Sequence, residues 1–261
     1  VTGVQTCALP ICFVGAANDR IQEDYLRILR LFRFFAWYGR EPIDQATLNA
    51  VAILKGGLTR LSAERITQEI AKLLAATDPA SAVALMARAE VLATVLPGAR
   101  PDALGALIVA ERAVGEPPSW LRRLAALVQA LPGTLVLSNA DAAGLAQLVA
   151  STPALSRTAA RGVWNRALYE LGPRVVADRV LLAWAREGGD PVAWQACIAA
   201  ARRWSAKTMP VSGADVLALG VAPGPRVGTL LRALEDRWIA TEFAATRDDL
   251  LAELMRLAAA R

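Results

Sequence analysis

Residues 23–35 read EDYLRILRLFRFF, and the spacing of their apolar side chains decides how the start of the chain folds. At about 100° per residue, apolar positions three and four apart fall on one face of an α-helix. Asp19 and Gln22 resemble a capping box, which predicts that the helix begins at Asp19. The helix is predicted to run to Tyr38, because Gly39 then ends it. Its apolar face comprises Ile21, Tyr25, Ile28, Leu29, Phe32 and Phe35.

A ribbon of charged residues runs beside this apolar face. Leu26, Leu31 and Phe34 lie among the charges, so the guanidinium groups are expected to be partly desolvated and to need anionic partners. The segment itself supplies few acids, which leaves several donors for an outside anion. The three arginines span roughly 9 Å, which suits a nucleotide or a stretch of phosphate backbone. The ribbon comprises Asp24, Arg27, Arg30 and Arg33.

A second interpretation of the ribbon stays open at this point. The helix can be an ordinary amphipathic helix whose charged edge is solvated and whose arginines extend past apolar neighbours to reach water. The chain has 26 arginines and 3 lysines, a bias that indicates a GC-rich genome. Each single arginine therefore carries less weight as a functional signal.

Almost every other segment also predicts helix, with Gly and Pro turns between the helices. Ser62 stands at a helix start as a capping residue, and Asp78-Pro79 places a cap and a proline at the start of the next helix. Only residues 134–137 resemble a strand, and they are too short to build a sheet. We therefore predict an all-α fold, an elongated multi-helix array with no substantial sheet. The predicted helices cover 19–38, 44–54, 62–75, 78–92, 102–113, 118–131, 140–150, 153–171, 174–187, 191–204, a short segment after Ser212, 225–239 and 247–259.

Composition excludes several classes of protein. The 261 residues contain no histidine, which excludes Ser-His-Asp and Cys-His catalysis and the zinc motifs that need histidine. Cys7, Cys12 and Cys197 form no CxxC pair, so a disulfide framework is not expected and a reducing, cytoplasmic location fits. The longest uncharged run is broken by Pro132 and Gly133, which argues against a membrane span. A formal net charge of +5 indicates an anionic partner.

The first residues do not follow the pattern of the rest. Residues 1–11, VTGVQTCALPI, resemble a translated sequencing adapter and have neither the basic start nor the long apolar region of a signal peptide. Cys12 can straddle the junction, so residues 1–12 are interpreted as a sequencing-adapter or assembly scar. The natural reading frame would then extend upstream.

Two stretches near the start of the chain resemble a known family. Residues 13–15, FVG, followed by residues 20–34, RIQEDYLRILRLFRF, are similar to the neck of class II tRNA nucleotidyltransferases. These are the CCA-adding enzymes, which are grouped with bacterial poly(A) polymerases. Residues 58–65, LTRLSAER, followed by Glu69 and KLL at 72–74, resemble the next neck motif.

The C-terminal region resembles the tail of the same family. Residues 210–217, PVSGADVL, and 220–228, GVAPGPRVG, carry this second resemblance. The resemblance implies a neck at 13–97, a helical body at 98–208 and a tail at 209–261. The body carries no motif that resembles the family.

The resemblance implies a role for each residue of the ribbon. In the family, the Asp and Arg of Glu-Asp-x-x-Arg present a template to the incoming base, so that CTP and ATP are accepted and GTP and UTP are rejected. Asp24 and Arg27 match those positions. Arg30 and Arg33 match positions along the nucleotide and its phosphates, and Glu23 is expected to orient an arginine.

The resemblance also implies tRNA as a partner. Arg60 and Arg65 are candidates for RNA binding or for bracing the neck against a head domain; a solvated face fits them equally. Gly213, Gly224 and Arg226 are candidates for RNA contact in the tail, where backbone N–H groups at helix starts can bind phosphate. Read without the family, these glycines are ordinary turn residues.

The chemistry of the family belongs to an N-terminal head that this sequence does not contain. That head holds Mg²⁺ on an Asp-x-Asp pair, and no Asp-x-Asp occurs here. We therefore expect a fragment of a CCA-adding tRNA nucleotidyltransferase that selects CTP or ATP and binds tRNA, without catalytic or metal-binding residues and inactive alone. Two alternatives stay open. One is a poly(A)-polymerase-like enzyme that adenylates RNA 3′ ends, and the other is a non-enzymatic α-helical scaffold that binds RNA or protein.

Overall fold

The computed structural model describes residues 13, 15–39 and 42–259. The interpretation of residues 1–12 as an adapter scar lies outside these residues. Within them the chain forms α-helices, one 3-10 helix and connecting turns, with no strand. The all-α prediction is therefore confirmed. None of the described helices combines the length and the apolar character that crossing a membrane requires.

Fourteen α-helices are found in the described residues. They are α1 (Ala17–Glu23), α2 (Leu26–Tyr38), α3 (Gln45–Leu54), α4 (Ala63–Leu74), α5 (Ala80–Arg88), α6 (Val91–Val95), α7 (Asp102–Ala113), α8 (Trp120–Leu127), α9 (Asn139–Val149), α10 (Arg161–Glu187), α11 (Pro191–Arg203), α12 (Gly213–Ala218), α13 (Pro225–Ala240) and α14 (Arg247–Ala259). A 3-10 helix, Lys55–Arg60, lies between α3 and α4. Gly172 interrupts α10 with left-handed backbone, as the Gly172-Pro173 pair predicted.

The chain divides into two compact units. Unit one contains the described residues up to 150 together with 178–196, and unit two contains 151–177 together with 197–259. The boundaries between neck, body and tail at 97/98 and 208/209 stay a prediction.

The core of unit one forms where α2 packs against α4 and α5. Ile28 and Phe32 of α2 are buried, as are Ile70 and Leu73 of α4 and Met86 of α5. Full burial of each such side chain is worth about 1.5–3 kcal/mol. Leu26 and Leu31, which the sequence places among the arginines, are buried as well, so apolar contacts cover most of the circumference of α2.

The single helix predicted over 19–38 is wrong, because the chain breaks at Asp24. The Asp24 backbone is extended, with φ −157° and ψ 107°, and its carboxylate accepts a hydrogen bond from the Leu26 backbone N–H at 3.1 Å. An aspartate side chain that binds the backbone two residues on competes with the helical bond. The predicted capping box of Asp19 and Gln22 is wrong too, because α1 begins two residues before Asp19 and Ala16 makes no side-chain cap.

Four further predictions needed correction. The helix expected over 153–171 begins only at Arg161. The helix expected over 78–92 is two helices, because Glu90 adopts left-handed backbone between α5 and α6. The helix expected over 118–131 ends at Leu127. Residues 134–137 are not a strand: the Val136 N–H donates to the Thr67 hydroxyl at 3.0 Å, which satisfies it without a partner strand.

The predicted cap at Ser62 is confirmed. The cap predicted at Asp78 is wrong, because Pro79 and not Asp78 occupies the N-cap position of α5. Asp44, which was not predicted as a cap, caps α3. The Asp44 side chain accepts from the Thr47 backbone N–H at the start of α3, and the Ser62 side chain accepts from the Arg65 backbone N–H at the start of α4. These caps satisfy N–H groups that the first helical turn leaves without partners. They fix where α4 begins, and α4 carries residues of the candidate site.

Two consecutive arginines are buried in unit one. Arg122 and Arg123 of α8 are almost fully inaccessible and both pair with Glu111 of α7, which is equally buried. Arg122 also pairs with Asp178 at 2.6 Å. Burial opposes the charge of Arg122, but Asp178 and Glu111 outweigh it, so its pKa lies above the ordinary value.

Arg123 extends this cluster to the end of α4. Its guanidinium donates to the carbonyl oxygens of Leu74 at 2.8 Å, Ala76, and Thr77 at 3.3 Å. A helix C-terminus leaves carbonyl groups without partners and favours cations. The arginine pair therefore fixes the C-terminal end of α4 to α7 and α8.

Unit two has its own apolar core among α12, α13 and α14. Val216, Leu234, Leu250 and Leu254 are buried there. Trp238 completes the core in an edge-to-face contact with Phe243, with ring centroids 5.0 Å apart. Together these residues hold the Gly/Pro-rich turn before α13 against the two neighbouring helices.

Removing Glu111 should lower the free energy of unfolding of unit one more than removing a neighbouring surface arginine does. Glu111→Ala leaves two buried guanidinium groups short of an anion, and breaking a buried ion pair costs about 3–5 kcal/mol. Arg112→Ala is the matched control, because Arg112 makes an exposed pair with Asp78 worth about 0–1 kcal/mol. Urea denaturation followed by circular dichroism measures the free energy of unfolding. Equal losses in the two variants would contradict a stabilising role for the cluster.

Candidate nucleotide-binding site

Asp24 lies at the break between α1 and α2, partly buried. Its Oδ1 atom accepts from the Leu26 backbone N–H at 3.1 Å and from Arg65 Nη2 at 3.2 Å. Its Oδ2 atom accepts from the same Nη2 atom at 2.9 Å. A carboxylate offers about four acceptor positions, so an oriented Asp24 retains capacity for one further donor.

Arg27 lies one turn into the ribbon and is held by two acceptors. Its Nη1 atom donates to the Arg20 carbonyl oxygen at 2.8 Å and to Glu23 Oε2 at 2.5 Å. Both described bonds use Nη1, so among the described residues the Nε and Nη2 donors are left for other acceptors. The Arg27 guanidinium, and Arg20 after it, hold the pKa of Glu23 below its ordinary value. Glu23 thus has the contact that orienting an arginine requires.

Arg30 and Arg33 converge on one buried carboxylate, Glu69 of α4. The Nε atoms of Arg30 and Arg33 lie 3.7 Å and 3.1 Å from its oxygens. Glu69 is only 5% exposed, whereas the side chains of Arg33 and Arg30 are 18% and 47% exposed. Sequence reasoning placed Glu69 in a neck motif and gave it no role. The available signal was an acid among the apolar positions Ile66, Ile70 and Leu73 of an amphipathic helix.

One face of α4 contacts residues 24–37 at three points. Arg65, Glu69 and Lys72 follow one another at helical spacing on this face. Arg65 binds Asp24, Glu69 pairs with the ribbon arginines, and the Lys72 carbonyl oxygen accepts from Trp37 Nε1 at 2.8 Å. The second neck motif therefore positions the first.

Tyr25 fixes the break from the other side. A Cβ atom placed on Gly57 would lie 2.0 Å from two ring carbons of Tyr25, so the ring lies directly on the Gly57 backbone. The Arg60 guanidinium carbon lies 5.7 Å from the centre of the same ring. Arg60 and Arg65 were candidates for RNA contact, and the structure places both against the Asp24–Tyr25 break.

The candidate site is cationic although each acid in it is paired. The guanidinium groups of Arg20, Arg27, Arg30, Arg33 and Arg65 surround the carboxylates of Glu23, Asp24 and Glu69. The excess positive charge and the partly exposed forks favour a phosphate-bearing ligand. Asp24 can accept a hydrogen bond and the neighbouring Arg27 can donate one. Together they can bind a ligand edge that carries a donor next to an acceptor.

The tail residues lie in unit two. Gly224 has φ 152° and precedes α13, while Gly213 begins α12. Arg226 donates to the Ala258 carbonyl oxygen of α14 at 2.8 Å. The turn before α13 lines an open groove of about 730 Å³ with Met255 on its far wall. This groove belongs to unit two and the ribbon to unit one. RNA contact by the tail residues stays a prediction.

Adding one methyl group at Gly57 should disturb the Asp24 break. Gly57→Ala forces the Tyr25 ring to move, and overpacking of this kind costs about 1–3 kcal/mol. Gly56→Ala is the matched control, because no atom lies within 4 Å of the position that its new methyl group would occupy. Thermal and urea unfolding of both variants measure the difference. A Gly57→Ala protein as stable as the control would show that Tyr25 does not depend on this contact.

Comparison with known proteins identifies related chains. Residues 42–102 match a family described as the probable RNA and SrmB-binding site of polymerase A. The mitochondrial CCA tRNA nucleotidyltransferase 1 of Danio rerio is 30% identical over 259 residues, covering 93% of this chain and 58% of that protein. A CCA-adding enzyme of Limosilactobacillus fermentum is 27% identical over 250 residues, covering 91% of this chain and 61% of that protein.

A solved structure agrees with these matches at the level of fold. The Bacillus stearothermophilus CCA-adding enzyme in complex with CTP superposes with a TM-score of 0.68 and 22% identity, covering 94% of this chain and 65% of that chain. The chain spans about three fifths of the length of the curated relatives it matches. In sequence and fold, the chain is therefore similar to CCA-adding enzymes over most of its own length.

Proposed function

We propose that this chain is the nucleotide-selecting and tRNA-binding part of an enzyme that adds or repairs the 3′-terminal CCA of tRNA from CTP and ATP. The observation that carries the proposal is the pairing of an oriented acceptor with an oriented donor. Arg65 and the Leu26 N–H hold Asp24, while Glu23 holds Arg27 one turn away. The names of the relatives support the same reaction.

The acceptor and donor explain how two bases are chosen and two rejected. Cytosine and adenine each carry an exocyclic amine, which donates to a carboxylate such as Asp24. Their neighbouring ring nitrogen accepts, and Arg27 can donate to it. Guanine and uracil present a carbonyl oxygen where the amine would stand. That oxygen would face the Asp24 carboxylate, acceptor against acceptor, and binding would be lost.

Arg30 and Arg33 are proposed to bind the phosphates of the same nucleotide. Guanidinium groups form charge-assisted, two-point hydrogen bonds with phosphate oxygens. Glu69 keeps both arginines on one side of α2 before the nucleotide arrives. The arrangement orders the donors in advance, which lowers the entropy lost on binding.

The described residues do not fit the magnesium ions that the family resemblance implies. The carboxylates of Glu23, Asp24 and Glu69 are each engaged by arginine. The described part of the chain holds no cluster of three or more Cys, Asp or Glu side chains able to ligate a metal. We therefore place the transfer reaction on a part outside this chain, and we propose that the chain alone binds nucleotide without transferring it.

A poly(A)-polymerase-like activity is the second candidate, because the matching family at residues 42–102 is described for polymerase A. Such an enzyme would extend RNA with ATP alone. Sequencing the products made on a tRNA that lacks its 3′ end separates the two candidates. Addition of CCA supports the first, and a run of adenosines supports the second.

A cytoplasmic location stays a prediction, since the vertebrate relatives are named as mitochondrial.

Base selection should depend on Asp24 and Arg27. We would join this chain to the catalytic part of a CCA-adding relative and measure kcat/KM for the four nucleotides. Asp24→Ala and Arg27→Ala should each reduce the preference for CTP and ATP over UTP and GTP by about tenfold or more, since a lost two-point base contact is worth roughly 1–3 kcal/mol. Arg88→Ala, an exposed arginine of α5, should leave the preference unchanged. Retained preference in the first two variants would exclude the template role.

Arg65 should act on selection through Asp24 and not by touching the base. Arg65→Ala removes two of the three described hydrogen bonds to the carboxylate, and we expect the ratio of kcat/KM for CTP over UTP to fall roughly three- to tenfold. One Nη2 atom supplies both bonds, so Arg65→Lys should restore part of the ratio. Stability should change little, because the pair is partly exposed. A lower stability with an unchanged ratio would assign Arg65 a purely structural role.

A further inference from the structure

The exposed face of α2 continues beyond the arginines into three aromatic rings. After Arg30, this face carries Phe34, Trp37 and Tyr38, which are 43%, 48% and 68% exposed. We call these three residues the α2 aromatic patch. Large aromatic side chains are normally used in cores and interfaces. Three on one helix face, next to a cationic ribbon, indicate a binding surface.

The rings of the patch are ordered although they are exposed. Trp37 donates its indole N–H to the Lys72 carbonyl oxygen at 2.8 Å. The Phe34 and Tyr38 ring centroids lie 6.3 Å apart, and those of Trp37 and Tyr38 lie 6.5 Å apart. A ligand that stacks on rings already held in place loses less side-chain entropy on binding.

The charges around the patch are positive. The Arg33 guanidinium carbon lies 4.5 Å above the Phe34 ring centre, Arg30 precedes the patch on the same face, and the Lys72 side chain is exposed. The acid in this area, Glu69, is buried beneath the arginines. Aromatic rings among cations match the combination that binds single-stranded nucleic acid, where bases stack and phosphates meet the charges.

The patch lies beyond the ribbon arginines along α2. At 1.5 Å per residue, Phe34 and Tyr38 lie roughly 6 Å and 12 Å along the α2 axis from Arg30. They are thus on the opposite side of the phosphate-binding arginines from Asp24. The patch precedes residues 42–102, the segment matched to an RNA-binding family.

We propose that the α2 aromatic patch stacks the unpaired bases at the 3′ end of the RNA substrate. The proposal rests on the proposed function, because it takes the substrate to be an RNA with a single-stranded end. It goes beyond that function by naming a separate surface, with Trp37 and Tyr38 as the main stacking residues. The bases stack on the rings, and the exposed Lys72 side chain meets the backbone phosphates.

The test uses the chain itself and a fluorescein-labelled eight-nucleotide single-stranded RNA, with binding followed by fluorescence anisotropy at constant salt. The double variant Trp37→Ala with Tyr38→Ala should bind about tenfold or more weakly, as expected for the loss of base stacking. Trp37→Phe keeps a ring and should stay within about threefold of the unchanged chain. Ile53→Ala, an exposed aliphatic residue of α3, is the control and should bind normally. Circular dichroism melting checks that each variant is folded.

Several results would overturn the proposal. They are an unchanged affinity in the double variant, absence of RNA binding by the unchanged chain, and equal competition by a blunt RNA duplex, whose bases are not available for stacking. Normal RNA binding with weakened docking of the catalytic part would identify the patch as a protein interface, which also excludes it. The proposed function fails by a different result, namely retained base selection after Asp24→Ala. A protein can pass either test and fail the other.

Discussion

The buried carboxylate of Glu69 is the constraint on which the candidate site depends. A helix that packs apolar side chains around most of its surface and also carries arginines must supply those arginines with anions, because an unpaired buried charge is costly. Arg33 is only 18% exposed and lies 3.1 Å from Glu69. The pairing sets the rotation of α2 relative to α4, which in turn brings Arg65 to Asp24 and the Lys72 carbonyl to Trp37.

The position of α4 depends in turn on the second buried ionic cluster. Arg123 binds carbonyl oxygens at the C-terminal end of α4, and Glu111 holds Arg123 in place. Ser62 caps the other end of α4. Both ends of the helix that orients the ribbon are therefore fixed by polar contacts, while Ile70 and Leu73 anchor its middle in the core. A lesion in α7, far from the ribbon in sequence, would thus disturb the α4 residues that hold Asp24 and Arg33.

Local sequence rules predicted most helices, because caps and Gly/Pro stops act within a few residues. They predicted the Ser62 cap and the interruption at Gly172. They failed at Asp24. The apolar spacing continues through this position, but the hydrogen bond from the Leu26 N–H to the Asp24 carboxylate breaks the helix there. They also gave no role to Glu69 or to the Glu111 cluster, since those pairings join residues far apart in the chain. The ribbon and the role of Glu23 were visible in the sequence, whereas the pairing of Glu69 with Arg30 and Arg33 was not.

The two arginines that we propose to bind phosphate are not equivalent, and the difference follows from Glu69. Arg33 is the closer and more buried partner, so displacing it would leave the buried Glu69 without its nearer cation. Arg30 is 47% exposed and its Nε atom lies 3.7 Å from Glu69 Oε1. It would therefore lose little ion-pair energy on turning toward a phosphate. Since a triphosphate attracts both, the less costly response is for Arg30 to leave Glu69 while Arg33 stays. Arg33 would then also stay over the Phe34 ring, so the aromatic patch would keep its cation in the proposed nucleotide complex.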